Sequence, residues 1–126
     1  MKNRLIITED MIDYYDHMNH MEYIKLFEEE QRKYLERLSA EFTLLENEGL
    51  KVVQRHFSID YLYPLFDSDS IEVNTLVIEL GKSSFVFEQN ILVGNKKAST
   101  AKTVYVVSDG RGSKKIIPQW YKDKIR

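Results

Sequence analysis

The stretch that decides the fold is Asp13-Tyr-Tyr-Asp-His-Met-Asn19, which runs into His20-Met-Glu-Tyr-Ile-Lys-Leu-Phe27 and on to Leu38. A polar loop rich in Asp and His gives way to a long amphipathic segment. With Asn19 as N-cap, Glu22 falls at the third helical position, the spacing of a capping box. Met21, Ile24, Phe27, Tyr34, Leu35 and Leu38 recur at intervals near 3.6, while Lys25, Glu29, Arg32, Lys33, Glu36 and Arg37 occupy other faces. This periodicity predicts a helix of about five turns with one apolar side. Glu28–Arg32 and Glu29–Lys33 are i,i+4 pairs in the favourable orientation, worth about 0.3 kcal/mol each. Such a helix needs a broad apolar surface to lie on, and the rest of the chain predicts a sheet.

Upstream, Arg4 to Thr8 reads as a short edge strand. Downstream, a break near Ser39 precedes a second short helix carrying Phe42 and Leu45, with Gly49 as its stop. From Leu50 the period changes to two, which places Val53, Arg55, Phe57, Ile59 and Tyr61 on one strand face. Pro64 and the polar turn Asp67 to Ser70 end that strand. Ile71 to Leu80, Ser84 to Val93 and Ala98 to Val107 predict three more, joined by turns at Gly81-Lys82 and Gly94-Asn95. Asp109 to Lys115 reads as a mobile basic loop, and Ile116 to Arg126, restarted by Pro118, as a short terminal helix. A strand, a long helix and four successive antiparallel strands predict an α+β fold, with the helix across one face of a meander and residues 1–126 forming one domain.

Composition narrows the function. The chain has 126 residues, 43% of them hydrophobic and 30% charged, with a net charge of −2, so no global positive field invites nucleic acid. No apolar run reaches the roughly 18 residues of a membrane span. Met1 to Ile7 meets Thr8-Glu9-Asp10 before any signal-peptide core forms. The absence of cysteine removes disulfides, thiolate nucleophiles and Cys-ligated metals, and fits a cytoplasmic protein.

Among the remaining chemistries, His17 and His20 do not match the common zinc spacings, so no metal is expected. Asp13 and Asp16 sit just upstream of the first amides of the long helix. Two readings stand there. The acids and Asn19 cap the helix and satisfy a turn, or a carboxylate attacks or activates water while helix-start amides hold a developing oxyanion. Gln31 falls within the apolar stripe and must find buried partners or line a pocket. Arg55, on the apolar face of its strand, reads as an interface residue.

The stretch Asp13-Tyr-Tyr-Asp-His17-Met-Asn19-His-Met-Glu-Tyr23-Ile-Lys-Leu-Phe27-Glu28 resembles the Asp-x-x-Gly-His-Val-Asn-Asn-x-x-Tyr-x-x-x-Phe-Glu signature of hotdog-fold acyl-CoA thioesterases, in the branch that includes 4-hydroxybenzoyl-CoA thioesterase. Ile59 to Leu65, Asp69 to Val73, Gly81 to Ser84, Ala101 to Val107 and Ile117-Pro118 follow that family's order, so the resemblance covers nearly the whole chain. It implies a central helix wrapped by an antiparallel sheet, protomers paired edge to edge as a homodimer or a dimer of dimers, and active sites at the dimer interface. It implies hydrolysis of an acyl-CoA without metal or cofactor, coenzyme A being part of the substrate; from charge and hydropathy, no nucleic-acid or membrane partner is expected. Asp13 matches the catalytic carboxylate, and Asn19 and Tyr23 match positions that shape its loop. His17, His20, Glu28 and Ser84 are the candidates for touching substrate, and the amides of about His20 to Tyr23 for polarising the carbonyl. Lys82, Arg111, Lys114 and Lys115 are candidates for CoA phosphates by charge alone. Three positions depart from the pattern: Asp16 stands where the motif has glycine, His20 replaces an asparagine, and Met11 replaces an earlier aspartate. In some members the carboxylate lies on the central helix, where Glu28 is the counterpart. A non-catalytic module that binds acyl-CoA or another apolar ligand is the alternative that the same resemblance allows.

Overall fold

A computed structural model describes residues 1–126. The elements are β1 (Lys2–Ile6), a 3-10 turn (Glu9–Met11), α1 (His20–Arg37), α2 (Phe42–Glu46), β2 (Lys51–Tyr61), β3 (Ser70–Leu80), β4 (Ser84–Val93), β5 (Lys96–Ser108) and α3 (Gln119–Ile125). The strands form one antiparallel sheet in the order β1-β3-β4-β5-β2. The expected four-strand meander is therefore corrected: β2 pairs with β5 at the far edge and not with β3. Residues 62–69 carry the chain from one side of the sheet to the other. That crossover is tied down along its length, with the Leu62 and Tyr63 amides donating to the Ala98 carbonyl, the Leu65 carbonyl accepting from Met18 at 2.7 Å, and the Ser68 amide donating to Ile7.

Helix α1 starts where the sequence places it. Asn19 is the N-cap, its side-chain oxygen accepting the Met21 amide at 2.8 Å. The reciprocal half of a capping box is missing, because the Asn19 amide donates to the Met11 carbonyl and Glu22 instead lies 3.5 Å from Lys25. The expected i,i+4 pairs are also replaced: Arg32 grips Glu29 at 2.6 Å and Glu36 at 2.5 Å. Met21 is 52% exposed, and the buried side is Tyr23, Phe27, Glu30, Gln31, Tyr34 and Leu35. Ser39 breaks the helix at φ 53°, and Gly49 ends the next segment at φ 78°, a left-handed stop that glycine adopts without a Cβ penalty.

The buried apolar side chains fall into two clusters along α1. Tyr23, Phe27, Met18, Ile7, Leu65, Ile71 and Ile91 gather near its start, and Tyr34, Leu35, Leu45, Phe85, Phe87, Tyr121 and Ile125 near its end. A polar seam lies between them. Gln31 Nε2 donates to Gln89 (2.9 Å) and Thr103 (3.0 Å), Gln89 Nε2 donates to the Phe27 carbonyl (3.0 Å) and Thr75 (3.1 Å), and the Tyr105 hydroxyl donates to Gln31 at 2.5 Å. Gln31 thus finds its partners inside the core on two strands, β4 and β5, and Gln89 carries the seam on to β3.

Strand β2 departs from simple alternation. A bulge at Arg55 shifts its register against β5. Before the bulge Val52 packs inward and Val53 is 49% exposed, whereas after it Phe57 and Ile59 face the core. One extra residue reverses the phase. The face predicted for Val53 through Tyr61 is thereby split, and Arg55 is exposed. The loop after β5 is built rather than loose, since the Asp109 carboxylate accepts the Arg111 and Ser113 amides. A five-stranded antiparallel sheet curled around one long helix is the hotdog architecture.

Candidate functional site

The start of α1 and the crossover after β2 meet at a cavity of about 460 Å³. Asp13, Tyr15, His17, Met18, His20 and Tyr23 line it from the loop and helix, and Tyr61, Leu62, Tyr63 and Pro64 close it from the crossover. The loop is held in a defined shape. The Asp13 amide donates to the His17 carbonyl, the Asp16 amide to the Asp13 carbonyl (3.1 Å each), and Ile12 pairs with Met18 across an antiparallel bridge. This tight reversal forces Asp16 to φ 64°. Aspartate tolerates that conformation better than most residues, so the glycine of the motif is dispensable here.

Asp13 is half-buried. Its Oδ1 accepts the Tyr15 amide at 2.8 Å, and its other carboxylate oxygen makes no hydrogen bond within the chain. At the helix start the Met21 and Glu22 amides are taken by the side chain and carbonyl of Asn19. The His20 amide, one residue earlier, makes no hydrogen bond within the chain. A carboxylate oxygen and a helix N-terminal donor thus remain uncommitted in two residues that line one apolar-walled cavity.

Tyr23 lies on the floor, 3% exposed, with the Tyr61 ring edge-on at 4.9 Å. Burial, reinforced by Tyr61, pushes its hydroxyl up to about 12, although the Leu65 backbone beside it pulls the other way. Tyr23 is therefore a neutral donor at physiological pH and not a base. The Tyr15 and His17 rings stack at 6.3 Å. Among the lining residues, Tyr15, Tyr61, Leu62 and Tyr63 are half or more exposed, an apolar rim around the opening.

Of the residues singled out in the sequence, Asp13, His17, His20 and Tyr23 come together, and Asn19 supports them by capping the helix. Glu28 and Ser84 do not reach this cavity. Glu28 lies two turns along α1, where it lines a separate hollow with Gln31, Glu41 and Tyr105 and, after burial, helps push the Tyr105 hydroxyl up to about 12. Ser84 sits in the β3–β4 hairpin, its carbonyl accepting the Gly81 amide, beside the cluster under the far end of the helix. Lys82, Arg111, Lys114 and Lys115 are exposed at that same end, outside the cavity. No three His, Asp or Glu side chains converge as metal ligands. The sequence reading missed Tyr61 to Pro64 as a wall; it treats them as a strand end and a stop, and their role depends on the crossover.

A profile of the thioesterase-like superfamily matches residues 7–125. The chain belongs to the thioesterase-like superfamily. None of the curated proteins matches it. Among solved structures, a protein of Aquifex aeolicus is 22% identical with a TM-score of 0.87, the match covering 100% of this chain and 99% of that one. The 1,4-dihydroxy-2-naphthoyl-CoA thioesterase of Synechocystis is 16% identical, TM-score 0.87, covering 98% and 93%. A Staphylococcus aureus protein solved in complex with CoA is 15% identical, TM-score 0.85, covering 98% and 80%. At these identities the likeness establishes the hotdog fold. No helix is long and apolar enough to cross a membrane.

Proposed function

We propose that this thioesterase-like protein is a cytoplasmic acyl-CoA thioesterase that hydrolyses an acyl thioester to a free acid and coenzyme A, with no further cofactor. The observation that carries the reading is that Asp13, with a free carboxylate oxygen, and His20, with an uncommitted amide at the start of α1, line one apolar-walled cavity. The acyl group enters the cavity with its carbonyl oxygen toward the helix start. As a nucleophile attacks, negative charge develops on that oxygen, where an N–H donor and the positive end of the helix dipole stabilise it. Asp13 supplies the other half. It either takes a proton from the attacking water, or attacks the carbonyl itself to give an acyl-aspartyl anhydride that water then hydrolyses to the free acid. In both cases the thiolate of coenzyme A departs and takes up a proton. Tyr23, kept neutral by burial, donates to substrate or packs against it. The apolar rim of Tyr61, Leu62 and Tyr63 supports association with a second copy that would cover the mouth. The CoA complex of the Staphylococcus aureus fold relative supports coenzyme A as the carrier.

The test is thiol release from a panel of acyl-CoAs, followed with a thiol-reactive dye, which the protein itself does not consume because it contains no cysteine. Asp13→Asn keeps an oxygen for the Tyr15 amide and so keeps the loop, but loses the base. Its turnover is expected to fall at least ~100-fold. A folded Asp13→Asn protein with near-wild-type turnover refutes the role of Asp13. Saturable binding of acyl-CoAs without cleavage by the wild type would replace the enzyme with a binding module.

A further inference from the structure

On the other side of the loop, a second cavity of about 280 Å³ lies between β1, the 3-10 turn and the first half of α1. Leu5, Ile7, Met11, Leu26 and Ile71 give it apolar walls. Each charge that lines it has a partner: Glu22 and Lys25 pair with one another at 3.5 Å, while Glu29 and Lys33 are held by Arg32 (2.6 Å) and Glu30 (3.4 Å) outside the lining. An apolar hollow whose lining charges are all partnered suits a hydrocarbon chain and offers no spare cation for an anion.

Met18 is the one residue that lines both cavities. It is 2% exposed, and its backbone is fixed on two sides, by the 2.7 Å hydrogen bond to the Leu65 carbonyl and by the bridge to Ile12. Met18 is thus the wall that the two cavities share. It is also an unbranched thioether with three rotatable bonds, the kind of side chain that fills irregular gaps and changes rotamer with little cost.

We propose that Met18 sets the length of acyl chain the protein accepts, by closing the Asp13 cavity off from a second aliphatic subsite walled by Leu5, Met11, Leu26 and Ile71. The inference rests on the thioesterase reading for its substrate class, but the subsite stands on the two cavities and their shared wall. With Met18 in place, the tail of a short acyl group ends against its thioether. When the side chain is shortened the cavities join, and each further methylene that enters apolar surroundings adds up to about fourfold in binding.

The experiment compares wild type, Met18→Ala, Met18→Val and Met18→Ala/Leu26→Trp on a series of saturated acyl-CoAs from acetyl to palmitoyl. It measures kcat/KM and also equilibrium binding of the matching non-hydrolysable thioethers. Circular dichroism and melting establish folding, and Met18→Val serves if the alanine variant does not fold. The preferred chain is expected to lengthen in Met18→Ala, with a smaller change in Met18→Val. The ratio of long-chain to short-chain kcat/KM should rise at least tenfold, and the indole of Leu26→Trp, refilling the second cavity, should return the profile to that of wild type. An unchanged length profile in folded Met18 variants overturns the proposal, as does a shift that Leu26→Trp leaves intact. If wild type cleaves no acyl-CoA, the enzyme reading fails. The thioether series then still decides the subsite: a length shift in binding upholds it and flat binding overturns it.

Discussion

Replacing Gln89 with leucine probes how the helix that carries the site is fastened to the sheet. The Gln89 amide is 1% exposed and makes three hydrogen bonds, from its Nε2 to the Phe27 carbonyl and Thr75, and to its Oε1 from Gln31. At about 1 kcal/mol net apiece, their loss costs about 3 kcal/mol. Leucine recovers part of this by its own burial. The loss is also softened because Gln31 Nε2 keeps Thr103, whereas the Thr75 hydroxyl must find a new partner in a dry interior. The balance is about 2–3 kcal/mol, a large share of the ~5–15 kcal/mol that holds a domain of this kind folded. In melting temperature that is roughly 10 °C for a chain of intermediate size. Urea unfolding followed by circular dichroism is the assay, with an unchanged m-value as the check that only stability has moved. The decisive arm is the double variant Gln31→Leu/Gln89→Leu. Removing both amides leaves fewer orphaned partners than the two single variants added together, because the Gln31–Gln89 bond is lost only once, so the double variant should be less destabilised than the sum of the singles by at least ~1 kcal/mol. Strict additivity, or a Gln89→Leu protein within about 0.5 kcal/mol of wild type, refutes the view that the seam acts as one coupled fastening.

Further predictions concern the helix start and the buried tyrosines. Asn19→Ala orphans the Met21 amide and should cost about 1 kcal/mol, seen as a melting temperature lower by a few degrees. Asn19→Asp keeps the cap, so it should hold stability while lowering kcat by placing a negative charge beside the developing oxyanion; a variant that is stable and fully active removes the helix start from the chemistry. At alkaline pH, Tyr23 and Tyr105, each raised from 10.0 to about 12 by burial, bind their protons more tightly folded than unfolded. Their contribution is complete below pH 10 and is lost as pH rises toward 12, at up to about 1.4 kcal/mol per pH unit for each. Urea midpoints measured from pH 9 upward should fall steeply in wild type and less steeply in Tyr23→Phe and Tyr105→Phe. Equal slopes in all three would show that the two hydroxyls are not the groups responsible.

The parts of the fold that were legible in the sequence are those fixed by near neighbours. The Asn19 cap, the breaks at Ser39 and Gly49 and the hairpins at Gly81 and Gly94 each depend on a few consecutive residues, and each lies where the sequence places it. What escaped depends on distant chain. Nothing in Glu28-Glu29-Glu30 says which acid is buried. Glu30 has no solvent exposure because β1 comes over it, with Asn3 donating to its Oε2 at 3.0 Å and Lys33 at 3.4 Å. The outward turn of Val53 is likewise invisible to a period-two reading, since the bulge at Arg55 exists only against the register of β5.

The site divides along the same line. Asp13, His17, Asn19, His20 and Tyr23 lie within eleven residues, and one turn followed by one helix start is enough to gather them, so local sequence carries their juxtaposition. The cavity is a different matter. Its second wall, Tyr61 to Pro64, stands beside Asp13 only because β2 pairs with β5 at the far edge of the sheet, which forces the chain to return across the start of α1 to reach β3. Had β2 paired with β3 in a plain meander, a tight turn would have replaced the crossover. The same carboxylate and amide would then face water, where neither an oxyanion nor an acyl tail gains from a dry surrounding. The strand order is thus what turns a capped helix into a candidate active site. The crossover's hydrogen bonds at Met18–Leu65 and Ile7–Ser68 tie that apolar wall to the segment that carries Asp13 and His20.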